Sequence, residues 1–488
     1  MKKILNIKII IRTLGFLLLF QSFFMLLASF VSFLYNESDV QPILLSAGIT
    51  LTVALIATLS VSKPTEPIGK REAYLVVALV WVVFSLFGLL PFLLSGSIPS
   101  FTDAFFETMS GFTTTGASIL TDVESLSHGL LFWRSIIQWL GGMGIIVLSL
   151  AILPLLGMGG MQLFVAEVPG PTKDKLHAKV SFTAKALWGI YVVLTASQVL
   201  FLWLGGMDLF DGICHSFTTM ATGGFSTKNA SIAYWNSPLI EYIIIVYMFL
   251  AGVNFSLYFS FLQGNFSKIF KNEELKYYLS FVLVFTLLVV CSVVFYTPEL
   301  VISVEQIIRH SLFQVVSLFT TTGFATYDYL LWSQFTWMLL IVTMLFGASA
   351  GSTSGGIKLV RIVLLLKNSY YEFKRLLHPN AIIPVRYNEK VVMPQMMTNV
   401  LAFVALYITI LVIGMIMLGA FGMSFDEAVG SAVTALSNVG PSLGSLGPSS
   451  NFAAISLPAK WVMSFLMLIG RLELFTVLVI LTPTFWSK

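Results

Sequence analysis

Four short stretches of this chain end in glycine, carry mostly small or hydroxyl side chains, and lie between long apolar segments. They are Thr113, Thr114, Thr115 and Gly116; Ala221, Thr222, Gly223 and Gly224; Thr320, Thr321, Thr322 and Gly323; and Ser437, Asn438, Val439 and Gly440. The closing glycines fall roughly 100 to 120 residues apart, the mark of a fourfold internal repeat. The chemistry open to such stretches is coordination. A ring of peptide carbonyls can replace the hydration shell of a small cation, and neighbouring hydroxyls can add oxygens. Glycine lets such a strand take backbone angles that other residues avoid. A single stretch of this kind is ordinarily a helix end or a close-packing point; four in register point to one shared site. No Ser/His/Asp or Cys/His set and no acid pair is placed for catalysis, so an enzyme is not expected.

The elements that must position these stretches are transmembrane helices. Of 488 residues, 57% are hydrophobic and 10% charged, with mean hydropathy +0.90, against about 25% charge in a soluble domain. Apolar runs of about 20 residues recur along the chain, the length an α-helical span requires. Strands of a membrane barrel would give alternating segments of about 10 residues. The first apolar run lacks a cleavage site and reads as a retained helix. Cys214 and Cys291 suggest neither a disulfide framework nor a metal cluster.

Two leading spans, Leu14–Leu34 and Ile43–Val61, occupy residues 1–72. Four units follow, at 73–178, 179–274, 275–390 and 391–488. Each has an outward span, a helix too short to cross, the glycine-ended stretch, and a return span. The outward spans are Ala73–Leu94, Ala186–Leu204, Tyr277–Tyr296 and Val391–Gly419. The short helices are Phe101–Phe112, Leu209–Met220, Glu305–Phe319 and Phe425–Leu436. The returns are Trp133–Leu156, Leu239–Leu262, Trp332–Lys374 and Leu457–Leu481. Two full spans per unit keep all four units in one orientation, so their loops meet on a single axis along the membrane normal.

Charge follows this layout. Apart from Arg134, Lys228, Arg309, Lys460 and Arg471, every one of the 27 basic residues falls in an inner segment or at the inner end of a span. That distribution puts both termini in the cytoplasm. The outer segments carry Asp103, Glu107, Asp122, Glu124, Asp211, Glu305 and other acids, which would draw cations to an outer mouth. The short helices would aim their negative C-terminal ends at the centre.

Two features lie within the membrane. Gly347, Ala348, Ser349, Ala350, Gly351, Ser352, Thr353, Ser354, Gly355 and Gly356 interrupt the third return span, roughly 22 Å below Trp332 at helical rise. So polar a segment cannot face lipid; it is either a packed kink or a gate under the loops. It is not a phosphate-binding loop, because Ile357 stands where lysine is required. Arg471 falls near the middle of the last span and must point inward. It either pairs with an acid such as Glu473 or acts below the loops, on the gate segment or as an electrostatic barrier. His215 and His310 read as packing residues, the Gly141–Gly142 run as a site of close helix approach, and Asn254 as a residue that could line the pore.

Two-span units with a re-entrant helix between, repeated four times behind two leading spans, resemble the Trk/Ktr/HKT superfamily of potassium transporters. The stretches ending at Gly116, Gly224 and Gly323 are similar to those of its TrkH branch. The resemblance implies an all-α integral membrane protein with four pseudo-repeats around one pore. It implies that the stretches ending at Gly116, Gly224, Gly323 and Gly440 form a selectivity filter that binds and passes potassium. Glycine rather than serine at position 116 implies potassium over sodium. It gives residues 347–356 the role of gate and Arg471 a role in pore electrostatics. It further implies plasma-membrane location, a homodimer, and a separate cytoplasmic nucleotide-binding regulatory subunit of the TrkA type. Membrane lipid is a partner, nucleic acid is not, and no organic cofactor is expected. The fourth stretch lacks threonines, which makes the filter asymmetric. An ion-coupled symporter, driven by protons or sodium, is the alternative.

Overall fold

Apolar runs of bilayer length fold into helices because their backbone groups must be satisfied within the segment. The computed structural model describes residues 5–61, 68–142, 144, 180–297 and 303–486. Among these, six helices are long and apolar enough to cross a membrane, and two bent pairs bring the number to eight when each counts as one span. The described residues are all-α apart from a two-stranded antiparallel ribbon, in which Arg386 pairs with Val391 and Tyr387 with Lys390. Val391 therefore belongs to the ribbon, and the span expected to begin there starts at Pro394, in the first turn where proline loses no bond.

The leading helices Ile7–Leu34 and Val40–Leu59 form a hairpin packed on the first unit. They approach closely at Gly15, where a Cβ would press on Thr58 and Ala57.

The four short helices run Phe101–Phe112, Leu209–Met220, Val304–Phe319 and Phe425–Ser437. At about 1.5 Å per residue each is too short to span a bilayer. Their starts are written alike. Ser100, Asp208, Ser303 and Ser424 each accept a backbone N–H from the first turn, and Ser303 and Ser424 complete capping boxes with Gln306 and Glu427.

Return spans expected to be continuous are broken. The second consists of Pro238–Ala251 and Phe255–Leu262, bent by 93°, and the fourth of Leu457–Arg471 and Phe475–Leu481, bent by 115°. The third is interrupted, as expected, between Phe346 and Leu359. Of the first, the helix His128–Gly142 is seen; residues 145–156 of the expected span, with Lys173, Lys175 and Lys179, lie outside the described residues. Neither break carries a proline; the second return span marks its own only by Gly252 and Asn254 and the fourth by Arg471 and Glu473, and the hydropathy of the flanking runs outweighs both. Asn254 is not a wall residue of a continuous span. It caps the second half-helix, accepting the Ser256 N–H at 2.9 Å.

The five off-pattern bases all have partners. Arg134 meets Glu107 at 2.6 Å, Arg309 meets Glu241 at 2.7 Å and Glu305 at 2.8 Å, Lys460 meets Asp103 at 2.6 Å, and Lys228 meets Asp211 at 3.8 Å. Arg471 donates to backbone carbonyls. Four of the acids expected to line an outer mouth are engaged in these pairs. Asp103, Glu107, Asp211 and Glu305 balance bases within the protein, while Asp122 and Glu124 remain exposed.

Arg134 and Glu107 are both buried, so removing one partner strands a charge. Glu107→Gln should destabilise the protein by about 3–5 kcal/mol, seen as a lower melting temperature of the purified protein in detergent. Adding Arg134→Leu should recover part of that loss.

Candidate functional site

Each short helix ends in the same backbone knot. Thr115, Gly223, Thr322 and Val439 donate their N–H groups five residues back, to the carbonyls of Ser110, Thr218, Ser317 and Thr434, at 2.8, 2.8, 2.8 and 3.0 Å. One residue earlier the backbone is left-handed in every case, with φ of 54° at Thr114, 53° at Thr222, 59° at Thr321 and 57° at Asn438. These are Schellman-type ends, yet three of the four have threonine where glycine is usual. A β-branched residue there is an outlier, held at a cost of about 1–3 kcal/mol each. Two residues on, Gly116, Gly224, Gly323 and Gly440 return to positive φ, at 83°, 74°, 85° and 111°. Backbone whose φ alternates in sign can keep successive carbonyls on one side, which an ordinary strand does not.

The loops close on one another. A Cβ added to Gly116 would run into the Gly223 carbonyl oxygen, on Gly224 into that of Thr322, on Gly323 into that of Val439, and on Gly440 into that of Thr115. Each approach is 2.8 Å or less. The four loops therefore follow each other round a ring in chain order, the fourth returning to the first. Apart from partly accessible glycines, their residues are buried.

Side chains brace the ring differently at each quarter. Thr113 and Thr115 share a hydroxyl bond at 2.8 Å, as do Thr320 and Thr322. Asn438, in the loop without threonines, donates from Nδ2 to Thr115 Oγ1 at 3.0 Å and to the Met467 carbonyl at 2.9 Å. Asparagine tolerates the left-handed angle, so this loop needs no threonine to join the ring. Behind the second loop, Gln138 donates to the Gly223 carbonyl at 2.6 Å and accepts from the Phe225 N–H at 3.0 Å.

Residues 347–356 lie directly against this ring. The Gly355 N–H donates to Thr321 Oγ1 at 2.7 Å, and a Cβ on Gly355 would strike the Ser437 carbonyl. Thr353 Oγ1 reaches the carbonyls of Met220 at 3.1 Å and Ala251 at 3.3 Å. Ser349 N–H bonds the Gly252 carbonyl at 3.1 Å, and Ala350 N–H the Glu274 carboxylate at 2.6 Å. Ser352 and Ser354 share a bond at 2.9 Å, and Ser354 Oγ accepts from Ala348 N–H at 3.2 Å. Gly347, Gly351 and Gly356 have positive φ. The segment is thus a folded plug held against the ring by these bonds rather than a slack linker.

Arg471 ends its half-helix beside this plug. Nη1 donates to the Thr353 carbonyl at 2.8 Å, and Nη2 to the carbonyls of Gly141 at 2.5 Å and Gly142 at 2.9 Å. One guanidinium therefore joins the plug to the first and fourth units. Glu473 is bonded to Arg361, which also donates to the Ile357 carbonyl at 2.9 Å. The Gly141–Gly142 pair does allow close approach, since a Cβ on either would collide with Phe112 or Ala221. His215 is buried, bonded to the Asp211 carbonyl and to Ser226, and His310 bonds Thr326.

Sequence reasoning passed over three residues. Gln138 is a lone amide in an apolar span, and a buried amide requires partners. Lys358, just past the plug, donates to the Ser354 carbonyl. Arg361 looked like one more inner-end base.

A family model described as TrkH, cation transport protein, matches residues 43–488. The Trk system potassium uptake protein TrkH of Escherichia coli strain K12 is 41% identical over 487 residues, covering 99% of this chain and 100% of that protein. TrkG of the same strain is 32% identical over 99% of both. The crystal structure of the potassium transporter TrkH from Vibrio parahaemolyticus superposes with a TM-score of 0.89 at 36% identity, over 99% of this chain and 100% of that one.

Gly224→Ala has no room and a forbidding φ, whereas Gly189 faces open space. Gly224→Ala should reduce rubidium uptake by proteoliposomes at least about tenfold, the effect of some 1.4 kcal/mol at the ring. Gly189→Ala should leave it at the wild-type rate.

Proposed function

The chain belongs to the TrkH family of cation transport proteins, and from that premise we propose that it takes up potassium across a cell membrane through the ring of four loops. The observation that carries this reading is the closed ring itself, built from four loops with left-handed residues at matching positions. Carbonyls of Thr113–Gly116, Ala221–Gly224, Thr320–Gly323 and Ser437–Gly440 are the ligands in this reading, replacing water around a dehydrated ion. Four short helices end at the ring, and their negative ends favour a cation there. The strain of three left-handed threonines is offset by the capping bonds and by the neighbouring loops, which keeps the ring from relaxing around an arbitrary ion.

In this reading residues 347–356 are the gate and Arg471 is its latch. The plug bonds to Thr321, crowds Ser437 and occupies the inner side of the ring. Opening it means parting the Arg471 bonds to Thr353, Gly141 and Gly142. A positive charge just inside the ring also opposes a passing cation until it moves. Regulation comes from outside the chain: a cytoplasmic nucleotide-binding subunit and a second copy of this chain complete the assembly. Exposed bases such as Lys268 and Lys271 suit a partner docked on the inner face, with both termini on that side. The four units, 73–178, 179–274, 275–390 and 391–488, are the quarters of the pore, and 1–72 flanks it.

Rubidium uptake by proteoliposomes under potassium or sodium competition tests the filter. Gly323→Ser should lower the preference for potassium over sodium by roughly tenfold; uptake with its preference intact would remove the ring from the pathway. Arg471→Ala should raise uptake by about tenfold, the worth of a charge-assisted bond lost from the closed state. An unchanged rate would show that Arg471 does not hold the gate.

A further inference from the structure

Gln138 belongs to the first unit, yet both ends of its side chain serve the second loop. Nε2 donates to the Gly223 carbonyl at 2.6 Å, and Oε1 accepts the Phe225 N–H at 3.0 Å. The side chain is fully buried. It fills the place where a Cβ on Gly223 would stand, 2.5 Å from the amide carbon. The second loop reads Ala-Thr-Gly-Gly instead of Thr-Thr-Thr-Gly because Gln138 has taken the volume of the third side chain. One planar amide thereby fixes two backbone groups on either side of Gly224.

The carbonyl it holds is a member of the ring. Gly223 O stands against Gly116, as Thr322 O stands against Gly224, Val439 O against Gly323 and Thr115 O against Gly440. Among the described residues, no hydrogen-bond donor is found on the other three oxygens. Gly223 O alone is engaged from behind, with one of its lone pairs occupied. A carbonyl fixed in this way cannot swing toward a small ion without breaking a buried bond, and an unpaired buried amide is costly. Both effects count most against the ion that needs the oxygens drawn closest together.

We propose that Gln138 is a selectivity-determining positioning residue, a clamp that keeps the second quarter of the ring from closing onto a cation smaller than potassium. The inference rests on the reading of the four loops as the filter. It assigns discrimination against sodium to a side chain outside all four glycine-ended stretches and contributed by a neighbouring unit. The clamp acts through Gly223 and Phe225 and does not itself touch the ion.

The test is the potassium-to-sodium permeability ratio from bi-ionic reversal potentials of full-length protein in planar bilayers, for wild type, Gln138→Met, Gln138→Glu and Gly323→Ser. Methionine keeps the length and removes both bonds. Glutamate keeps an acceptor for Phe225 and sets a carboxylate against the Gly223 carbonyl. Both variants should lower the ratio by about tenfold, the factor a single buried bond to the ring supports. If the methionine variant does not fold, the glutamate variant decides alone. A purely structural role would lower the melting temperature and both conductances together while the ratio stays put, and that result overturns the inference. An unchanged ratio in the Gln138 variants beside a shifted ratio in Gly323→Ser also overturns it and leaves the filter standing. An unchanged ratio in all of them removes the filter reading on which it depends.

Discussion

A peptide group that leaves a helix inside a bilayer has no water to turn to, and the irregular segments around the ring are arranged around that fact. The ends of the four short helices meet it with bonds reaching five residues back, which turn the chain sharply enough to force left-handed angles on Thr114, Thr222, Thr321 and Asn438. The plug at 347–356 meets it by lending its amides and hydroxyls to Thr321, Gly252, Glu274 and Met220. Breaks in the return spans meet it with Asn254 at one site and with a tight turn over Glu473 and Leu474 at another. Close packing of the four units is thus a requirement of the irregular backbone as much as a result of apolar burial.

The ring combines a common backbone with individual bracing. All four quarters have the same sign pattern of φ, but threonine pairs support the first and third, Gln138 the second, and Asn438 the fourth. Asn438 ties the last loop to Thr115 of the first, 323 residues earlier. A single chain can vary its quarters in this way, whereas four identical subunits cannot. The fourth loop's lack of threonines is therefore no defect in the ring. Its asparagine supplies both the tolerated backbone angle and the link across the seam.

Charge is handled with similar economy of position. Carboxylates that look available in the sequence hold Arg134, Arg309, Lys228 and Lys460 in place. Arg471 stands apart because it donates to backbone carbonyls of two different segments, Thr353 in the plug and Gly141 and Gly142 of the first unit. Carbonyls attract a guanidinium without cancelling its charge.

Much of this architecture was legible in the chain. Hydropathy marks the spans, and a polar cap three residues before an acid or amide opens each short helix at Ser100, Asp208, Ser303 and Ser424. Glycine at 116, 224, 323 and 440 marks the turns, because these are local demands written in the residues that meet them. The broken second and fourth return spans were not legible, since an apolar run reads the same whether or not it bends. Nor was the role of Gln138, or the capture of Glu473 by Arg361 in place of Arg471. These depend on which groups from distant units arrive at one point. Residue types in the chain mark the ends of the short helices and the interruption at 347–356; which neighbours satisfy the groups left open there follows from the packed fold alone, because in a bilayer the partner has to come from another part of the protein.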